Sequence, residues 1–121
     1  MIKYLEGNCI DKIKELEDNS IDCVVASPPY FGLRDYGVEG QFGLEKTYQD
    51  YIANTVKVFE TFKPKLKETA TIWWNVGDSY KDKNILMIPN RVAIALPISS
   101  AICGMIEFPN ALSRCTLPDT P

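Results

Sequence analysis

The sequence of 121 residues contains no histidine, and its four cysteines, Cys9, Cys23, Cys103 and Cys115, form no Cys-x-x-Cys pair. A zinc centre therefore lacks its usual ligand set, and no metal is expected. Scattered thiols suit a reduced, cytoplasmic chain. Cys23 lies in an apolar run and is expected in the core. No apolar run approaches the ~18 residues that mark a membrane span. The opening MIKYLEGN has an early acid and no apolar stretch of signal-peptide length, so export is not expected. An excess of positive charge is missing too, with 13 Lys and Arg against 16 Asp and Glu and a net charge of −3. Phosphate binding needs a positive surface, so a nucleic-acid partner would have to find its main basic surface elsewhere. Glycine is sparse late in the chain, where Gly104 is the only one after Gly77.

What is present fits one globular domain with a modest core, since apolar residues make up 45% and charged residues 24% of the chain. The most informative stretch is Ile21 to Tyr30, IDCVVASPPY. Ile21 to Ala26 reads as a buried strand that must stop at Pro28 and Pro29, and Pro28 bars Ser27 from the helical region. The resulting turn is stiff. It faces the Ser27 hydroxyl and the intervening carbonyls outward, with the ring of Tyr30 just beyond. Two acceptors of this kind suit the exocyclic amine of a nucleobase, and the ring suits its flat face. Taken by itself, Pro-Pro-Tyr after a strand is equally a rigid turn with a half-exposed aromatic.

Around this stretch the pattern reads as alternating strands and helices. Ile2 to Leu5 is a strand candidate closed by Gly7. Asn8 then caps a helix whose apolar face is Ile10, Ile13 and Leu16. Strand, helix and strand in this span predict a βαβ unit in a parallel sheet, with Asn8 and Ser27 at the carboxyl ends of strands, where ligands bind. Four glycines break up Tyr30 to Glu45, which reads as a long loop. Its aromatics Phe31, Tyr36 and Phe42 either tuck onto the core or form a lid over a planar ligand, with Arg34 available to an anionic group. A second helix begins at Thr47, with Ile52, Val56, Phe59 and Phe62 as its buried stripe, and ends near Phe62 ahead of Pro64. The lysines from Lys57 to Lys67 read as a solvated face.

Thr69 to Val76 is a β-branched and aromatic strand. Its tandem tryptophans, Trp73 and Trp74, point to opposite faces, one under a helix on each side of the sheet. Asn75 and Asp78 fall near the same cleft as Ser27, and Asp78 is equally a turn cap. Ile85 to Leu96 predicts a third helix with Pro89 in its first turn and Val92, Ala93 and Leu96 on its apolar face. From Pro97 onward no period is sustained.

In this order and spacing, GNC at Gly7 to Cys9, DNSIDCVVASPPYFGLRDYG from Asp18, GLEKT from Gly43 and WWNVGDSY from Trp73 resemble the permuted DNA amino-methyltransferases. These enzymes methylate adenine N6 or cytosine N4. The likeness runs from about Lys3 to Leu96. It implies an α/β fold, a partial Rossmann-like and mostly parallel sheet with flanking helices, with S-adenosylmethionine as cofactor and DNA as partner. It implies that Ser27, Pro28 and Pro29 hold the target amine and that Tyr30 stacks on a flipped-out base. It also places Ser27 and Asn8 against the cofactor, although relatives usually carry an acid at the position of Asn8. Serine ahead of Pro-Pro-Tyr tilts the target toward cytosine N4.

The chain departs from that family where the late Phe-x-Gly-x-Gly cofactor motif is expected, since Gly104 stands alone there. The reading is therefore an N-terminal catalytic-loop half over residues 1–96, weak or inactive alone, and an atypical tail over 97–121. Codons for Ile102 to Ile106 can be chosen that, read two bases on, spell the Leu-Arg-Asn-Asp with which the family commonly continues. The tail is thus compatible with a reading-frame change near Pro97. The loop needs only an amine on a flat ring. Methyl transfer to RNA or to a small amine, and a non-catalytic nucleic-acid-binding remnant, are the alternatives.

Overall fold

The computed structural model describes residues 2–96 and the backbone of residues 102–106. Helix α1 (Cys9–Lys14) is followed by strand β1 (Ile21–Ala26), helix α2 (Tyr48–Phe62), a 3-10 turn (Lys63–Lys65) and strand β2 (Leu66–Asn75). A short hairpin of β3 (Tyr80–Lys81) and β4 (Asn84–Ile85), helix α3 (Ile88–Ala95) and strand β5 (Ile102–Ile106) complete it. The main sheet has the order β1-β2-β5, and both neighbouring pairs are parallel. The expected mostly parallel α/β sheet with flanking helices is therefore what forms.

Each boundary has a local cause. Asn8 caps α1 by accepting the Ile10 amide at 2.9 Å. Thr47 caps α2: its hydroxyl oxygen accepts the Asp50 amide at 3.1 Å while its O–H donates to the Asp50 carboxylate at 2.7 Å. Thr47→Ala is expected to cost about 1 kcal/mol, read as a lower urea midpoint. Pro64 ends α2 at Phe62 and turns the chain through one 3-10 turn into β2. Asp82 and Lys83, at φ of 52° and 66°, make the tight turn between β3 and β4.

The core lies between one face of the sheet and the helices. Val24, Ala26, Ile72 and Trp74 meet Tyr51, Val58, Phe59 and Phe62 of α2, with Ile88 and Val92 of α3 in the same cluster. Phe59 and Phe62 tilt against Trp74 at 4.8 and 6.3 Å between ring centroids. The stripe of α2 is rotated from the expected one. Tyr51, Thr55, Val58, Phe59 and Phe62 are buried, whereas Ile52 and Val56 are only half-buried. On α3, Ile88, Val92 and Leu96 face inward and Ala93 is exposed.

Three expectations are corrected. Ile2 to Leu5 forms no strand, and Ile2 and Tyr4 are 80% and 89% exposed. The segment has no ladder partner among the described residues, so the βαβ unit is β1-α2-β2 instead. Cys23 is exposed rather than in the core, and Trp73 is 45% exposed, with no helix over it among the described residues. The shared cause of the last two is that, among the described residues, β1 and β2 are covered on one face only. Strand β5, paired along residues 71–75, was not legible in its own residues. Its five residues are too few for a period, and the pairing is supplied by β2. The rest of the tail expectation, 97–101 and 107–121, falls outside the described residues.

Candidate functional site

β1 and β2 run parallel with Ala26 beside Trp74, so the chain leaves both strands at the same end of the sheet. Ser27 and Asn75 are thereby neighbours. Asn75 Nδ2 donates a long hydrogen bond to Ser27 Oγ at 3.4 Å, and Asn75 Oδ1 is buried without a partner among the described residues. Ser27 itself is exposed, and Pro28, Pro29 and Tyr30 are half-buried. Together with Leu33, Arg34 and Tyr36 they line a cleft of about 300 Å³. The four residues singled out in the sequence thus share one cleft. Asn8 does not line it, and its side-chain oxygen is engaged in capping α1.

What holds the turn is a pillar from α2. Tyr51 is fully buried and its hydroxyl donates to the Pro29 carbonyl at 3.2 Å. Burial, then the nearby Glu45 and Tyr30, push the Tyr51 phenol above its ordinary value, so it stays a neutral donor. This corrects one detail of the expected turn. The Pro29 carbonyl points inward to Tyr51, while the Pro28 carbonyl meets no donor among the described residues.

The glycine-rich segment folds back onto the same turn. Gly43 sits at φ +97°, and a β-carbon there would lie 2.9 Å from the Tyr30 carbonyl oxygen and 3.1 Å from Pro29 Cβ. Its carbonyl accepts the Gly32 amide at 2.7 Å. Glu45 accepts both the Gly43 amide at 2.9 Å and Asn54 Nδ2 at 3.1 Å, which pins the end of the segment to α2. Gln41 braces the tip, accepting the Tyr36 amide at 2.6 Å and donating to the Arg34 carbonyl at 2.7 Å. The aromatics divide between the two expected roles. Phe31 and Phe42 tuck against Tyr51 at 5.8 and 4.9 Å, and Tyr36, 58% exposed, stays at the cleft with Arg34.

Gly77 closes the floor. A β-carbon on it would sit 2.7 and 2.8 Å from Cδ2 and Cε2 of Tyr30, so the ring lies directly on the backbone after β2. The Ser79 hydroxyl donates to the Phe31 carbonyl and ties the two loops together. Asp78 takes the capping role: its Oδ1 accepts the Ser79 amide at 2.8 Å and the Ile88 amide at 3.0 Å, the first of α3. Tyr51, Gly43, Gln41 and Gly77 were not found from the sequence. The helical spacing of Tyr51, Thr55, Val58 and Phe62 is a signal for the first of these, but it competes with the stripe through Ile52 and Val56.

A family model described as DNA methylase matches residues 21–108. Among curated proteins, the type II methyltransferase M.MwoI of Methanothermobacter wolfeii is 41% identical over 95 residues, covering 75% of this chain and 14% of that protein. M.SmaI of Serratia marcescens is 45% identical over 78 residues, 64% of this chain and 27% of its own length. M.SfiI of Streptomyces fimbriatus is 36% identical over 107 residues, 74% of this chain and 25% of its own length. The matched part of this chain thus corresponds to 14% to 27% of each of these relatives. No solved structure matches it.

Proposed function

The chain belongs to the DNA methylase family, and from that premise we propose that its cleft holds the exocyclic amine of a DNA base, cytosine N4 or adenine N6, for methylation. The observation that carries this reading is the exposed Ser27 beside the ring of Tyr30 in one cleft, with a Pro28 carbonyl between them that meets no donor among the described residues. An amine on a flat heterocycle needs two acceptors in its plane and a surface for its face. Ser27 Oγ and Pro28 O supply the first, and Tyr30, packed on Gly77, supplies the second. Accepting the amine hydrogens draws the nitrogen lone pair out of conjugation with the ring and points it away from the two acceptors. The nitrogen would take the methyl group as the donor's sulfur–methyl bond breaks, the bonding pair staying on sulfur as a neutral thioether, and would then give up a proton to water. Rate comes from holding the nitrogen in line and from the fixed carbonyl dipole, without a covalent link to the protein.

S-adenosylmethionine is the methyl donor this reading calls for, and its sulfonium supplies an activated methyl group. The described residues fit it on one side. Cys9 and Ser27 to Pro29 border a groove beside β1; Asn8, next in the chain to Cys9, does not line it, and its amide nitrogen has no partner among the described residues while its oxygen caps α1. Arg34, at the cleft mouth, suits a backbone phosphate of the same nucleotide.

Because these residues offer one wall to the donor, the chain alone is expected to transfer little label from S-adenosylmethionine to mixed-sequence DNA. Robust transfer by the isolated chain is the opposite result. The amine-holding half is tested separately, by binding of short single-stranded DNA at low salt. Tyr30→Ala is expected to weaken it by about 1–3 kcal/mol, roughly 5- to 150-fold. An unchanged Kd removes the stacking role, and equal competition by RNA removes the preference for DNA.

A further inference from the structure

Between Ser79 and Leu86 the chain makes an excursion that the core does not use. The Leu86 amide donates to the Ser79 carbonyl at 2.9 Å, and Asp78 holds the Ile88 amide, so the passage from β2 to α3 is already closed at its base. Beyond that closure Tyr80 to Ile85 are all exposed, and none of them packs on the core cluster. The hairpin is also strained. Four non-glycine residues among those described have left-handed backbone, and three of them are Asp82, Lys83 and Met87, at φ of 52°, 66° and 55°. A two-residue turn of this kind is ordinarily built from Asn-Gly, and a lysine in the second place is sterically costly. Strain in residues that bury nothing is a mark of function rather than of packing.

What the hairpin presents is charge. Lys81 and Lys83 meet no carboxylate among the described residues, whereas Lys12, Lys14, Lys65 and Lys67 each do. Its base stands beside the cleft, because the Ser79 hydroxyl donates to the Phe31 carbonyl and Gly77 lies under the Tyr30 ring. Lys81 is two residues past Ser79, about 7 Å of extended chain. We propose that this hairpin is a phosphate-binding finger, on which Lys81 and Lys83 hold the DNA backbone next to the nucleotide whose base enters the cleft. A chain of net charge −3 repels a polyanion as a whole, so attraction has to be local, and two lysines against Asp82 leave the tip positive. The inference rests on the cleft receiving a DNA base and adds the contact to the flanking strand.

The test is the salt dependence of short single-stranded DNA binding by the full chain. In the Lys81→Ala, Lys83→Ala double variant the slope of log K against log salt is expected to flatten by about 1.4, the loss of two phosphate contacts. Lys57→Ala, exposed on α2, is expected to leave the slope unchanged. Lys83→Gly separates contact from folding. Glycine relieves the left-handed position, so the urea midpoint is expected to rise while the slope flattens by about 0.7. An unchanged slope in the double variant overturns the proposal. So do an equal loss per lysine in Lys57→Ala, a lower midpoint in Lys83→Gly, and a wild-type chain that binds no DNA. Tyr30→Ala reads the cleft instead. If it leaves binding intact while the hairpin slopes flatten as expected, the amine-holding role fails and the phosphate contact stands.

Discussion

Replacing Tyr51 by alanine is expected to destabilise the domain by about 3–5 kcal/mol, the cost of truncating a large buried aromatic. Tyr51 has no exposed surface and is the ring against which Phe31 and Phe42 both tilt. Its loss removes the ring on which Phe31 and Phe42 pack, leaving the glycine-rich segment held to α2 by Glu45 and Asn54, and leaves the Pro29 carbonyl without its donor. Domains of this size rarely exceed about 5–15 kcal/mol of total stability, so urea unfolding is expected to move to much lower denaturant. An unchanged midpoint means the pillar is not needed. Tyr51→Phe keeps the rings and removes only the hydroxyl, with an expected cost of about 1–3 kcal/mol for an acceptor left inside.

The same pair of variants makes a pH prediction. Burial, with Glu45 and Tyr30 adding to it, raises the Tyr51 phenol above its unfolded value. The folded state holds this proton more tightly, so its contribution to stability is whole below about pH 10 and is lost as pH rises further, once the unfolded chain ionises. Wild-type stability is expected to fall on that alkaline limb, and Tyr51→Phe is expected to lack it. Identical limbs in the two proteins mean the hydroxyl is not sequestered.

Gly77→Ala is expected to weaken single-stranded DNA binding by as much as Tyr30→Ala does, about 1–3 kcal/mol. The added β-carbon needs the space of the Tyr30 ring, 2.7 Å from Cδ2. The ring must swing away from Gly77, which removes the stacking surface and costs about 1–3 kcal/mol of packing strain. The decisive measurement is the double variant. With Tyr30 already alanine, the Gly77 substitution has nothing to strike and should cost almost nothing in stability, a strong non-additivity. Equal costs with and without the tyrosine ring would show that Gly77 serves the backbone instead.

Much of the arrangement was legible in single residues. The two prolines after Ile21–Ala26 dictate an abrupt strand end, Asn8 and Thr47 announce helices, and Pro64 closes one. These are local steric and capping effects, written in three or four adjacent positions. The same logic failed at Ile2 to Leu5 and at Cys23. An apolar segment becomes a paired strand or a buried one only if a neighbour exists to pair with it or cover it, and no local pattern reports that.

The amino-acid sequence alone determined a stiff turn bearing a hydroxyl and a ring, and a parallel sheet to carry it. Only the tertiary structure decided which carbonyl stays free, because that choice is made by Tyr51 reaching 22 residues back along the chain to Pro29. It also decided that Tyr30 rests on Gly77, a contact between two loops that meet only because β1 and β2 are neighbours. Short-range sterics act between residues adjacent in the chain. Hydrogen bonds and close approaches between distant residues exist only once the sheet has brought its strand ends together.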